Sequence, residues 1–246
     1  VDDVLYAEHA LLERDHWWFL GRRAIVAAVL ERHLPAQAAR TILDAGCGTG
    51  GMLPLLARFG TVRGLEPAAV AVAHCHEAFP DFVVDQGEVP DAVPADGAFD
   101  VVTAFDVIEH IADDLGAARA LRAATRPGGT VVVTVPALAW LWSEHDDLNG
   151  HHRRYDRAGL AGVLERAGLE VRHLSSFNTA LLPIVAAARL AQRVRPRPVT
   201  PSSDFTMPGP LANRVLTSVL SAERRWVAGR GLPIGVSLVA VARRPT

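Results

Sequence analysis

The chain has 246 residues, half of them hydrophobic, which allows a sizeable core and excludes global disorder. A formal net charge of -2 gives no electrostatic case for nucleic acid as a partner. Every basic residue other than histidine is Arg, so Schiff-base or other lysine chemistry is excluded.

Residues 4–33 carry apolar positions at mixed i, i+3 and i+4 spacing and are expected to form one helix closed by Pro35. Residues 40–44 read as a first strand, 51–59 as a helix, 61–66 as a strand and 68–78 as a helix. Strands follow at 81–85 and 98–105, with a helix at about 113–125. Arg126 to Gly129 reads as a turn, and the β-branched run Thr130 to Val135 as a buried strand. A helix at 156–167 and a strand at 169–176 come next, then two helical patterns separated by a Pro-rich linker from Arg195 to Pro210. Gly235 to Ala242 closes the series as a strand. Such alternation predicts an α/β fold with an open, doubly wound, mostly parallel sheet.

Two cysteines, Cys47 and Cys75, belong to no metal-spaced pair and indicate no disulfide framework. The start, Val1-Asp2-Asp3-Val4, is unlike a signal peptide. The longest apolar stretch, Thr179 to Ala188, is shorter than the roughly 20 residues that span a bilayer. A cytoplasmic setting is expected.

The most informative run is Ile42-Leu43-Asp44-Ala45-Gly46-Cys47-Gly48-Thr49-Gly50, followed by Gly64-Leu65-Glu66-Pro67. An apolar strand ends in a carboxylate, glycines alternate with small residues, and a second strand ends in another carboxylate. This is the layout of an adenosine-ligand site at the carboxyl edge of a parallel sheet. Glycines at 46, 48 and 50 follow Gly-x-Gly-x-Gly, whereas a dinucleotide pyrophosphate is usually served by Gly-x-Gly-x-x-Gly. S-adenosylmethionine (SAM) has no phosphate and needs acceptors for its ammonium and ribose. Asp44 suits the first and Glu66 the second. A tight structural turn is the bland alternative, and a nicotinamide dinucleotide site is the rival.

With these pieces in place, residues 40–135 resemble the class I SAM-dependent methyltransferases, in ILDAGCGTG, GLEP, Asp85 to Pro90, FDVVTAFDVIEHI and RPGGTVVVTVP, in that family's order. HWWFLGRR and VPALAWLWSEHDDLNGHHRRY are similar to a bacterial subgroup acting on small molecules. The resemblance implies a seven-stranded Rossmann-like sheet and SAM as the cofactor. It puts Gly46, Cys47, Gly48 and Pro67 at the donor and places Gly87, Glu88 and Val89 beside the adenine. Phe105 and Asp106 border the methionine part, with His110 toward the acceptor. One departure is plain: residues 178–232 separate the last two strands, which the family normally joins in a hairpin.

Domain limits follow: one methyltransferase domain over 1–246, with a helical cap at 1–37, a SAM-binding core at 38–177, a helical insertion at 178–232 and a last strand at 233–246. In the cap, Trp17 and Trp18 point about 100° apart on a helix. One can pack on the sheet while the other covers the ligand, and Trp18 and Arg22 are candidate donor contacts. Two core aromatics are the alternative.

Methyl transfer is an in-line displacement that needs a held nucleophile, exclusion of water and, for a protonated nucleophile, a base. His110 is the first candidate base, with a helix cap or packing role as the alternative. Asp106, Glu109 and His110 also have the composition of a divalent-metal cluster, though no metal is assigned. Between residues 136 and 155 the chain is dense in rings and charges. Trp140, Trp142, His145, His151, Arg153, Arg154 and Tyr155 are candidate acceptor contacts, and His145 and His151 candidate substitutes for the base. The alternative is a loop ion-paired through Asp146 and Asp147, and a zinc set of His145, Asp146, His151 and His152 lacks the usual spacing. Apolar faces at Leu181 to Val194 and Leu211 to Leu220, with Arg193, Arg195 and Arg197 beside the first, suit a pocket roof, a dimer interface or a membrane contact.

The expected function is methyl transfer from SAM to a small-molecule acceptor, at oxygen with His110 as base. N- or C-methylation of a natural-product, quinone-like or lipid-like acceptor is one alternative, and a non-catalytic SAM-binding protein of the same fold another.

Overall fold

The computed structural model describes residues 3–34, 39–194 and 206–246. Helices α1 (Asp3–Glu13) and α2 (Trp17–His33) precede β1 (Thr41–Ala45), α3 (Leu53–Leu56), β2 (Thr61–Glu66), α4 (Ala69–Ala78), β3 (Val83–Gln86) and β4 (Phe99–Phe105). Then come α5 (Asp114–Ala124), β5 (Thr125–Pro136), α6 (Glu144–Leu148), α7 (Arg157–Arg166) and β6 (Glu170–Phe177). Helices α8 (Leu182–Val194), α9 (Pro210–Ala222) and α10 (Arg224–Ala228) lead into β7 (Ser237–Arg243). The seven strands form one sheet in the order β3-β2-β1-β4-β5-β7-β6, with β7 alone antiparallel to its neighbours. The order reverses between β1 and β4, so the crevice for a ligand lies at their carboxyl ends.

Burial explains the strand sequences. All seven residues of β4 are buried, and Val131 to Val135 of β5 are buried on both faces, as a covered parallel sheet requires. One core cluster, with Leu121, Val133, Leu160 and Ala240, lies on one face. The other, with Ile25, Leu53, Val132 and Val239, lies on the opposite face.

The single helix expected over 4–33 is two. The chain turns at residues 14–16, where the His16 ring accepts a hydrogen bond from the Trp18 amide and starts α2. Pro35 and the linker over 195–205 lie outside the described residues, and so do Arg195 and Arg197. The helix expected over 51–59 contracts to four residues, after which Arg58 and Phe59 make i to i-3 bonds. Arg126 to Gly129 is a bulge within β5: the pairing jumps from Phe99 with Thr125 to Val101 with Thr130, and Gly128 takes φ +76°. Among the described residues the insertion between β6 and β7 holds three helices, since α10 follows α9 directly. Among the described residues no helix is long and apolar enough to cross a membrane.

Helix α2 packs against α9 and α10, tying the cap to the late insertion. At the crossing, a Cβ on Gly21 would stand 2.5 Å from Leu220 Cδ2. Leu220 is fully buried, so it has little room to yield. Gly21→Val is expected to push α9 off α2 and to cost about 1–3 kcal/mol in denaturant unfolding. Unchanged stability would show that the crossing adjusts freely.

Candidate active site

A cavity of about 770 Å³ opens at the carboxyl edge of the sheet. β1 delivers Asp44 to it, 1% exposed. Asp44 Oδ1 accepts the Thr103 hydroxyl at 2.6 Å, while Oδ2 is buried without a hydrogen-bond partner. Burial pushes this carboxyl up to about 6, against the opposing pull of Thr103 and Arg22. A buried, unpaired acceptor facing a cavity is suited to an ammonium.

The loop after β1 needs its glycines. Gly46 has φ +74°, and a Cβ there would stand 2.6 Å from Val107 Cγ2. The Gly48 amide donates to Glu66 Oε2 at 2.9 Å. Glu66, 3% exposed at the end of β2, accepts the Tyr6 hydroxyl at 2.9 Å and the Ala68 amide at 3.2 Å on its other oxygen. These oxygens can accept a vicinal diol once Tyr6 withdraws. Cys47, Pro67, Glu88 and Val89 also line the cavity. Gly87 does not: a Cβ on it would meet Ala92 Cβ at 2.4 Å, so it packs under the loop while the next two residues face the cavity.

After β4 the backbone turns through Asp106 at φ +57°, a left-handed conformation that Asp tolerates better than most residues. Asp106 and Arg22 of α2 form an ion pair, and both line the cavity together with Phe105 and Trp18. Trp18 also stacks on Phe177 of β6, with ring centroids 5.9 Å apart, so it serves both the core and the cavity. Asp106 is therefore held by Arg22 and does not join Glu109 and His110.

The three candidate histidines meet in this cavity although they lie up to 41 residues apart in sequence. His110 and His151 have ring centroids 4.6 Å apart, and His145 and His151 6.1 Å. Burial, then the neighbouring His151, pulls His110 down to about 4. His151 Nδ1 lies 2.8 Å from Asp146 Oδ1, and Arg154 Nε donates to the same oxygen at 2.8 Å. Asp146 is fully buried, a condition that favours protonation. The bonds from His151 and Arg154 outweigh it and hold the carboxyl well below the usual range. Glu109 is also fully buried, and burial followed by the nearby Asp106 raises its carboxyl well above the ordinary value.

Four of the expected acceptor contacts lie elsewhere. Trp140 is half exposed and borders a separate small pocket beside Ala186 and Leu190. Trp142 donates its indole N–H to Asp147 at 3.0 Å. Arg153 donates to the carbonyls of Ile111 and Ala112 and pairs with Asp114 at 3.0 Å. Tyr155 is 4% exposed in the core, its hydroxyl donating to Asp114 at 2.9 Å. None of the four lines the main cavity. Arg154 does line it, but its guanidinium is engaged by Asp146 and by the Ala137 carbonyl. The zinc set is absent among the described residues as well: Asp146 and His151 pair with each other and His152 is exposed.

Other lining residues carry no local signal. Tyr6 and Glu13 arrive on α1, and Glu13 Oε2 accepts the Thr49 hydroxyl at 2.6 Å, so α1 closes over the glycine loop. Val185, Arg189 and Leu216 bring α8 and α9 to the cavity as part of its roof.

Comparison with known proteins agrees with this geometry. The methyltransferase domain family matches residues 18–174. A probable SAM-dependent methyltransferase of Mycolicibacterium smegmatis is 31% identical over 163 residues, 65% of this chain and 62% of that protein. A ubiquinone biosynthesis O-methyltransferase of Methylobacterium nodulans is 36% identical over 162 residues, 57% of this chain and 63% of that protein. The chain thus spans under two thirds of the length of both. The crystal structure of a SAM-dependent methyltransferase from Mesorhizobium loti has the same fold, with a TM-score of 0.59 at 18% identity, covering 92% of this chain and all of the other. The family match, the sheet order and the glycine-loop site agree: the chain belongs to the class I SAM-dependent methyltransferases.

Proposed function

We propose that the chain transfers the methyl group of SAM to an oxygen of a small-molecule acceptor. The observation that carries this reading is a single cavity with two chemically distinct halves. One holds the unpaired Asp44 oxygen, Glu66 and the glycine loop, and the other holds Glu109, His110, His145 and His151. Asp44 takes the donor's ammonium and Glu66 its ribose hydroxyls. Gly46, Cys47, Gly48 and Pro67 flank the donor, Glu88 and Val89 border the adenine, and Phe105 with the Arg22–Asp106 pair borders the methionine part. Trp18 covers the sulfonium, where an aromatic face adds about 0.5–2 kcal/mol.

Transfer forms an O–CH3 bond as the C–S bond breaks, with its electron pair returning to sulfur. The acceptor proton leaves at the histidine cluster. His151 fits the base role better than His110, because Asp146 fixes its ring orientation while burial opposes charging His110. His145 stands behind it. A relative carrying O-methyltransferase in its name supports oxygen as the target.

Calorimetry with SAM and S-adenosylhomocysteine (SAH) tests the donor half, and transfer of labelled methyl to phenolic and carboxylic acceptors tests the rest. Glu66→Ala is expected to weaken SAH binding at least tenfold with the fold intact, since two charge-assisted bonds are lost. No binding of either compound by the folded wild type would overturn the proposal. SAH binding with no transfer to any acceptor would leave a SAM-binding protein that is not an enzyme.

A further inference from the structure

We infer that Glu109, His110 and His151 form a binding site for a divalent transition-metal ion on the acceptor side of the cavity. Each offers one ligand atom, and the three atoms lie within 4.8 Å of one another. Spacing alone would not carry the inference; the state of Glu109 does. Its side chain is fully buried, and neither carboxylate oxygen has a hydrogen-bond partner. The nearest cations are committed elsewhere, Arg22 to Asp106 and Arg154 to Asp146. A buried carboxylate with no partner is costly, and a cation beside it removes that cost.

The imidazoles are arranged to match. His151 is bonded through Nδ1 to the buried Asp146 carboxylate, which leaves Nε2 for a ligand. The His110 ring stands edge-on to that of His151, with centroids 4.6 Å apart. Histidines that bind metals usually donate their other N–H to such a carboxylate or carbonyl. Two imidazole nitrogens and one carboxylate oxygen suit zinc, cobalt, manganese or ferrous iron better than magnesium or calcium. Three protein ligands leave coordination positions open toward the cavity. Under the O-methyl transfer reading, on which this role rests, a bound ion would hold the acceptor hydroxyl and ease its ionisation, and His151 would then serve as a ligand in place of the base, the proton passing to water.

The test uses the full chain stripped with a chelator and saturated with SAH. Cobalt titration is expected to give visible d–d bands at one equivalent, and calorimetry to give zinc binding at micromolar or tighter affinity. Glu109→Gln and His151→Ala should each weaken cobalt binding at least tenfold while retaining SAH binding, which reports that they fold. His152→Ala, exposed and outside the cluster, should leave both unchanged. No cobalt bands, or bands that survive both substitutions, would overturn the site. Metal binding in a chain that methylates no acceptor would keep the site and overturn the reaction. Full transfer by the stripped chain would keep the reaction and overturn the metal's role in it.

Discussion

Asp44→Asn is expected to make the donor-free chain more stable at neutral pH while weakening SAM binding about ten- to a hundredfold. The two effects share one cause. Asp44 is buried with one oxygen bonded to Thr103 and the other unpaired. Its folded carboxyl titrates at about 6, against an ordinary 3.8. A carboxyl raised in the fold contributes stability below its unfolded value, and that contribution is lost as pH rises through the folded value. Between pH 3.8 and about 6 the donor-free chain therefore loses about 3 kcal/mol. Asparagine keeps an acceptor for Thr103 and carries no charge, so the variant's advantage should approach that size at pH 7 and vanish toward pH 4.

Donor binding runs the other way. In the proposed site the ammonium of SAM pairs with the ionised carboxylate, and a charge-assisted hydrogen bond is worth about 1.5–3 kcal/mol. Wild-type affinity should fall as pH drops below about 6, and the Asn variant should lack that dependence. Thermal unfolding and SAH calorimetry across pH 5–8 read both effects. A variant less stable than wild type at pH 7 would mean that the carboxylate holds the fold and not the donor.

The glycine-loop half of the cavity was legible in the sequence because its residues are written locally. A buried strand, a carboxylate, alternating glycines and a second carboxylate occur in one continuous run, and β1 and β2 bring them together without help from distant chain. Elsewhere the signal is tertiary. Tyr6 and Glu13 reach Glu66 and Thr49 from α1, 60 and 36 residues away, and nothing in a helix sequence announces such a partner. The break before α2 was hidden because His16 is not a common helix cap, yet its ring accepts the Trp18 amide. The segment after β5 shows composition failing in another way. Its rings and charges reach the cavity wall at His145, His151 and Arg154, but direction is set by the turns through Leu138 and α6, so that Trp142 meets Asp147 at the surface, Arg153 reaches the carbonyls of Ile111 and Ala112, and Tyr155 enters the core. Glycine at 87 shows a related limit: neighbours in a loop sequence can part in space, since Gly87 packs on Ala92 while Glu88 and Val89 line the cavity.

Asp146→Ala is expected to be the most damaging single change on the acceptor side. The carboxylate is fully buried, bonded to His151 and Arg154, and also caps α6 by accepting the Ser143 amide at 2.9 Å. Its removal leaves the Arg154 side chain, 5% exposed, with a buried charge and only the Ala137 carbonyl as an acceptor. Breaking one partner of a buried pair costs about 3–5 kcal/mol. For a chain of this size that lowers Tm by roughly 6–20 °C. His151 loses the bond that sets its ring, so turnover should fall further than the folded fraction does. SAH affinity of the folded protein should hold, because Asp44 and Glu66 make no bond to this corner. The double variant Asp146→Ala, Arg154→Met separates the causes. Removing the stranded charge should recover much of the lost stability, whereas turnover should stay low because His151 is still unheld. If the double variant recovered turnover along with stability, the Asp146–His151 bond would have no part in the chemistry, and the corner would serve the fold alone.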